Sequence, residues 1–218
     1  DDQHGSAVVL LAALWNALEV VGKKIETVSI VISGAGAAGL AVAGLFMKAG
    51  AGNVTLLNSA GILGPDNPRM GPLQVDFSAR TNPEGRKGGL EEAVRGADVF
   101  VGLSKGGILD PDWVRTMAPK AVIFAQALPE PEISPEAAAA AGASIVASGL
   151  YDYPNVISNL HSTPGIMRGA LDVRAASLND NIFLSAARAL ASVVDRRMLG
   201  PRHIMPDLFC DEVVPKVA

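Results

Sequence analysis

Thr27-Val28-Ser29-Ile30-Val31-Ile32-Ser33-Gly34-Ala35-Gly36-Ala37-Ala38-Gly39 is the stretch that decides the fold. The β-branched run to Ile32 reads as a buried strand. It ends at a glycine cluster, and Ala37 to Ala49 then reads as a helix with small residues on most faces. Glycines fall at 34, 36 and 39, the Gly-x-Gly-x-x-Gly spacing, between strand and helix as that motif requires. Gly34 allows the tight turn. Gly36 leaves room for a pyrophosphate at the backbone, and Gly39 lets helix and strand pack closely. The helix N-terminus offers free N–H groups and partial positive charge to phosphates. Gly34, Ala35, Gly36, Ala37, Ala38 and Gly39 are therefore the candidate dinucleotide-binding turn.

Outward from this turn, short apolar segments alternate with helical ones. A helix at 6–21, stopped near Gly22, precedes the first strand. Strands follow at 54–57, 98–103, 121–125 and 144–148, and helices at 37–49, 90–95, 111–117 and 135–141. Asn58 to Gly88 has no periodicity and reads as a long loop, functional or mobile. Helical patterns return at 162–175 and 180–198. The stretch from Gly200, with Pro201, Pro206 and Pro215, reads as extended. Strands alternating with helices, and strands apolar on both faces, predict an α/β fold: a Rossmann-like doubly wound parallel sheet with flanking helices and a C-terminal helical segment.

The composition excludes several classes. The chain has 218 residues, 49% hydrophobic and 18% charged, with a formal net charge of −4. An acidic balance without a basic face argues against nucleic-acid binding. The segment 7–21 is broken by Asn16 and Glu19, so a buried helix is expected rather than a membrane span. Cys210 is the single cysteine and is read as an inert thiol in a reducing, cytoplasmic setting. The chain begins at Asp1-Asp2 without a methionine, which suggests a truncation point.

Two further positions belong to the candidate cofactor site. An acidic residue is expected about 20 residues beyond the glycines, to bind the ribose 2′-OH. Asn58 stands there. It can hydrogen-bond a hydroxyl, and it lacks the charge that would repel a 2′-phosphate. Arg69 is the nearest downstream cation, so NAD and NADP both remain open. Ser104 follows the third strand at the carboxyl edge of the sheet, where ligands of such sheets bind. Lys105 is read as a surface lysine. Arg168 and Arg174 are read as structural, paired with carboxylates such as Asp172.

Asp1-Asp2-Gln3-His4-Gly5-Ser6-Ala7, the glycine turn, Gly88 to Ala93, Pro129-Glu130-Pro131-Glu132-Ile133, Tyr151 to Asn155 and Pro164 to Ala175 follow one another along the chain. In this order they resemble the motifs of the malic enzyme family. The resemblance implies a cofactor-binding domain over residues 1–199, with 200–218 as a C-terminal tail. It also implies NAD(P)-dependent oxidative decarboxylation of malate, or a related 2-hydroxy acid, with a divalent Mg or Mn ion. By resemblance Asp2 is a metal ligand and Asp1 a catalytic carboxylate. Asn159 is a substrate-binding amide, and His4 is structural. A homo-oligomer, a dimer, is the implied assembly.

The resemblance departs at four positions. The family's substrate-binding Asn before proline is Leu128 here. The first residue of its Asn-Asn pair is Ser158, its Phe is Thr163, and its ribose carboxylate is Asn58. The family's Tyr, Lys, Arg and remaining metal ligands lie upstream of Asp1, in an N-terminal catalytic domain that this chain does not include. The chain alone is therefore expected to be inactive. Two other readings follow from these departures: a dinucleotide-binding or regulatory module without chemistry, and a malolactic-like decarboxylase.

Overall fold

The computed structural model describes residues 2–218. Strands β1 (Ser29–Ser33), β2 (Asn53–Asn58), β3 (Gly61–Ile62), β4 (Val99–Gly102), β5 (Val122–Ala125) and β6 (Ile145–Ser148) form one sheet, ordered β3–β2–β1–β4–β5–β6. All pairings are parallel except β2 with β3. The helices are α1 (His4–Val21), α2 (Ala37–Lys48), α3 (Pro72–Thr81), α4 (Leu90–Val94), α5 (Pro111–Val114), α6 (Pro135–Ala140), α7 (Thr163–Asp172), α8 (Asp180–Ala191) and α9 (Val213–Val217). The expected doubly wound α/β architecture is what the chain adopts.

The strands read as unbroken apolar runs because the sheet is covered on both faces. Ile30 and Ile32 of β1, Val99 and Val101 of β4, and Val122 and Phe124 of β5 face α1, α2 and α8. Val31, Phe100 and Ile123 point the other way, toward α4, α5 and α6. Successive side chains alternate across a strand, so both kinds of position must be apolar here.

α1 is long and apolar enough to cross a bilayer by length and composition. In this fold it lies inside the larger core cluster, with its residues from Val8 to Leu14 almost wholly buried. Gly22 ends it in the left-handed region, φ 72°, where a side chain would be strained.

Two segments differ from the sequence reading. The stretch 58–88, expected as loop, carries β3 and the helix α3. The tail from Gly200, expected as extended, ends in α9. It is tied to the body by buried amides. Asn16 Nδ2 donates to the Ile204 carbonyl at 2.9 Å. Asn155 Nδ2 donates to the Pro201 carbonyl at 2.8 Å, and its Oδ1 accepts from Ile204 N–H. α9 packs on α7 at Gly165 and Gly169, where a Cβ would run into Val217 and the Ala218 backbone.

Candidate dinucleotide site

The glycine turn joins β1 to α2 at the point where the strand order reverses. β2 lies on one side of β1 and β4 on the other. A crevice opens there, at the carboxyl ends of the strands. Gly34 sits at φ 117°, and a Cβ on it would strike the Leu103 carbonyl of the neighbouring loop. A Cβ on Gly39 would fall on the Gly34 carbonyl oxygen. A Cβ on Gly36 would meet nothing within 4 Å. So two of the three glycines serve close packing, and Gly36 faces open space. Gly36 is also the N-cap of α2 and puts no side chain over the first-turn amides. Those amides lack intrahelical partners and suit an anion.

Two clefts flank the turn. One, of about 870 Å³, is bordered by Ala38, Ser104, Gln126, Leu128, Ser158 and Asn159, with Asp2 at its wall. The other, of about 650 Å³, is bordered by Gly34, Asn58, Gly88, Ser104, Ile108 and Trp113. Ser104 belongs to both, and its Oγ lies 3.3 Å from Ser33 Oγ. The turn therefore stands between two chambers that meet beside Ser104.

The wall of the second cleft is built by amide side chains. Asn58 Oδ1 accepts from Ala60 N–H at 2.8 Å and from Asn67 Nδ2 at 3.0 Å. Its Nδ2 donates to the Arg69 carbonyl at 2.7 Å. Asn58 thus lines the cleft with its amide engaged by its own loop. Gln74 of α3 accepts from Gly71 N–H and donates to the Ala35 carbonyl at 2.7 Å. That contact ties the loop to the glycine turn.

The floor beside Ser104 is braced by Glu132, which is fully buried. Its carboxylate accepts from Ser104 N–H at 3.1 Å and from Ala127 N–H at 3.0 Å. A side chain at Gly102 would occupy the carboxylate's place. Burial pushes the carboxyl pKa up, and the amide donors oppose that rise. The loops after β4 and β5 are thereby held to each other. Nearby, Gln126 Nε2 is buried with no hydrogen-bond partner among the described residues.

Among the described residues no group of three or more His, Cys, Asp or Glu side chains could hold a metal. Asp2 is exposed and lines the first cleft. Asp1 lies outside the described residues. Asp2 alone does not make a cation site, so the described residues do not by themselves fit a bound divalent ion. Asn159 lines the same cleft, and its Oδ1 accepts from Ser6 Oγ at 3.1 Å. Ser158 Oγ accepts from Leu160 N–H. Leu128 is 59% exposed at the rim.

A family model described as the malic enzyme NAD-binding domain matches residues 3–217. The chain belongs to the malic enzyme family. It is 44% identical over 217 residues to the NAD-dependent malic enzyme of Geobacillus stearothermophilus, covering all of this chain and 45% of that protein. It is 40% identical over 219 residues to the bifunctional malic/malolactic enzyme of Bacillus subtilis (strain 168), covering 53% of it. The crystal structure of the NAD-dependent malic enzyme from Thermotoga maritima superposes with a TM-score of 0.95 at 43% identity, over all of this chain and 57% of that one. The chain spans about half the length of these curated relatives.

Within this malic enzyme domain the structure brings the glycine turn, Asn58 and Ser104 to one side of the crevice. Asp2, Asn159 and Leu128 stand around the other chamber. His4 stacks on Phe183 with ring centroids 4.7 Å apart. Arg168 pairs with Asp172 one turn along α7. Three residues of the site carry no role in the sequence reading: Gln74, Gln126 and Glu132. The last lies in the Pro129–Ile133 motif, where Glu132 stands between Pro131 and Ile133. Nothing in local sequence marks the two glutamines.

Proposed function

We propose that this chain is the cofactor-binding part of an oxidoreductase that oxidises and decarboxylates malate, or a close 2-hydroxy acid, with NAD or NADP and a Mg or Mn ion. The observation that carries the reading is the pair of clefts separated by the glycine turn and sharing Ser104. One cleft suits the adenosine half of a dinucleotide, and the other suits its nicotinamide half beside the substrate. A bound dinucleotide would supply the hydride acceptor for the carbon bearing the hydroxyl. The chain's own residues bind and orient: the α2 amides hold the pyrophosphate, Glu132 fixes the Ser104 and Ala127 loops, and Asn159 presents an amide to the substrate. Asp2 offers one oxygen to a hard cation, whose other ligands come from outside the described residues. Relatives are named both NAD- and NADP-dependent, and Asn58, without charge, suits either.

Calorimetry of the chain with NAD⁺ and NADP⁺ tests the binding step, and absence of both titrations overturns it. Turnover is tested with the full-length protein, malate and Mn²⁺. Pyruvate with NAD(P)H supports oxidative decarboxylation. Lactate without net reduced cofactor points to the malolactic reaction. Leu128 favours a second reading, a module that binds dinucleotide without turnover, because it is an exposed apolar residue on the substrate cleft. Binding with no product from malate supports that reading.

A further inference from the structure

Gln126 follows β5 directly, at the carboxyl edge of the sheet. Its Nε2 is buried and finds no hydrogen-bond partner among the described residues. Buried polar atoms in native proteins are paired almost without exception, so an unpaired donor on a cleft wall points to a ligand. The cleft it lines also contains Ala38, at the start of α2, and Ser104. An amide N–H donates to a carbonyl oxygen, and the nicotinamide carboxamide is the carbonyl that the dinucleotide reading brings into this chamber. The neighbouring residue reinforces the placement: Ala127 N–H is held by Glu132, which fixes the backbone from which Gln126 projects.

We infer that Gln126 is a cofactor-binding residue whose Nε2 donates a hydrogen bond to the carboxamide oxygen of the nicotinamide ring. This rests on the dinucleotide reading above and assigns one recognition element within it. The partner group is an amide carbonyl fixed to a flat aromatic ring, so its recognition discriminates the nicotinamide end from a bare ribose.

The test compares wild type with Gln126→Met, which keeps side-chain length and removes the donor. Dissociation constants of the chain are measured for NAD⁺, NADP⁺ and ADP-ribose, which lacks the ring. The variant should weaken the preferred dinucleotide about tenfold, the scale of one buried hydrogen bond, and leave ADP-ribose within about twofold. Equal losses for dinucleotide and ADP-ribose, or no loss for either, overturn the inference while leaving the dinucleotide reading intact. Weakened malate binding in the presence of Mn²⁺, with unchanged dinucleotide affinity, also overturns it and assigns the donor to a substrate carboxylate. A wild type that binds none of the three nucleotides overturns both the reading and the inference. If the variant does not fold, the Gln126 side-chain amide resonances of the ¹⁵N-labelled wild type decide. They should shift with dinucleotide and stay in place with ADP-ribose. A shift with both, or with neither, overturns the inference.

Discussion

The glycine turn and the segment from Asn58 to Gly89 border the same cleft and are held in opposite ways. The turn is shaped by missing side chains. Gly34 and Gly39 have no space for a Cβ, and backbone meets backbone directly. The segment opposite is shaped by side chains, through the amides of Asn58, Asn67, Gln74 and Asn82. One wall is steric and tolerates almost no substitution. The other is a set of hydrogen bonds, each replaceable at a modest cost. On the proposed reading, the rigid side receives the pyrophosphate and the adjustable side the adenosine.

Substitutions should separate the two kinds of wall. Gly39→Ala forces a methyl onto the Gly34 carbonyl and should cost about 3 kcal/mol in urea unfolding, since overpacking against backbone has nowhere to relax. A loss below about 1 kcal/mol would break the comparison, because the turn would then be as pliant as the loop. Asn82→Ala should cost about 2 kcal/mol by the same measurement. It removes the donor to the Leu63 and Arg86 carbonyls and the acceptor for Arg86 N–H, at a site only 7% exposed. Gly36→Ala should change stability by less than about 0.5 kcal/mol, because its Cβ meets only open space. The same methyl should weaken dinucleotide binding about tenfold, read by calorimetry, since it stands where the phosphates approach.

The smallest effect lies at the edge of the adjustable wall. Glu92 Oε2 accepts from Gly89 N–H at 2.7 Å, and that bond lowers the carboxyl pKa below 4.5. A carboxyl whose folded pKa is depressed contributes stability that is present above its unfolded pKa and lost as pH falls through the folded one. The Gly89 amide proton should therefore titrate in NMR spectra with a midpoint under 4.5, and Glu92→Gln should abolish that titration. A midpoint at or above the ordinary value would mean the cleft edge is not held by this carboxylate.

The steric wall was readable in the sequence, and the hydrogen-bonded one was not. Glycine spacing after a β-branched run reports a backbone requirement, which is local by nature. The strands are equally local, as apolar runs of four to six residues. α3 left no such trace. Its Leu73 and Val75 are 69% and 51% exposed, and Ser78 is its buried residue, so no apolar face repeats at helical spacing. Gly71-Pro72 was the available start signal, with proline at the first helical position. α9 is five residues long and contains Pro215, and it depends on the bare surface at Gly165 and Gly169. Of the candidate site, Ser104 was found because sheet topology predicts the carboxyl edge. Gln74 acts through a partner brought to it only by folding, the Ala35 carbonyl 39 residues away, and Gln126 is marked only by a buried amide without a partner among the described residues.

The two margins of the sheet carry a final consequence. β3 turns back antiparallel along β2 for two residues, and Ile62 N–H then bonds to the Gly88 carbonyl rather than extending the ladder. At the far margin, Val156 pairs with Ser148, and Asn155 Nδ2 covers the Val146 carbonyl at 3.0 Å. Neither border presents a long row of free amides and carbonyls to another polypeptide. Strand-by-strand growth between molecules, the route by which open sheets aggregate, is blunted at both ends. Pairing of sheet edges is thus a disfavoured route of assembly for this domain.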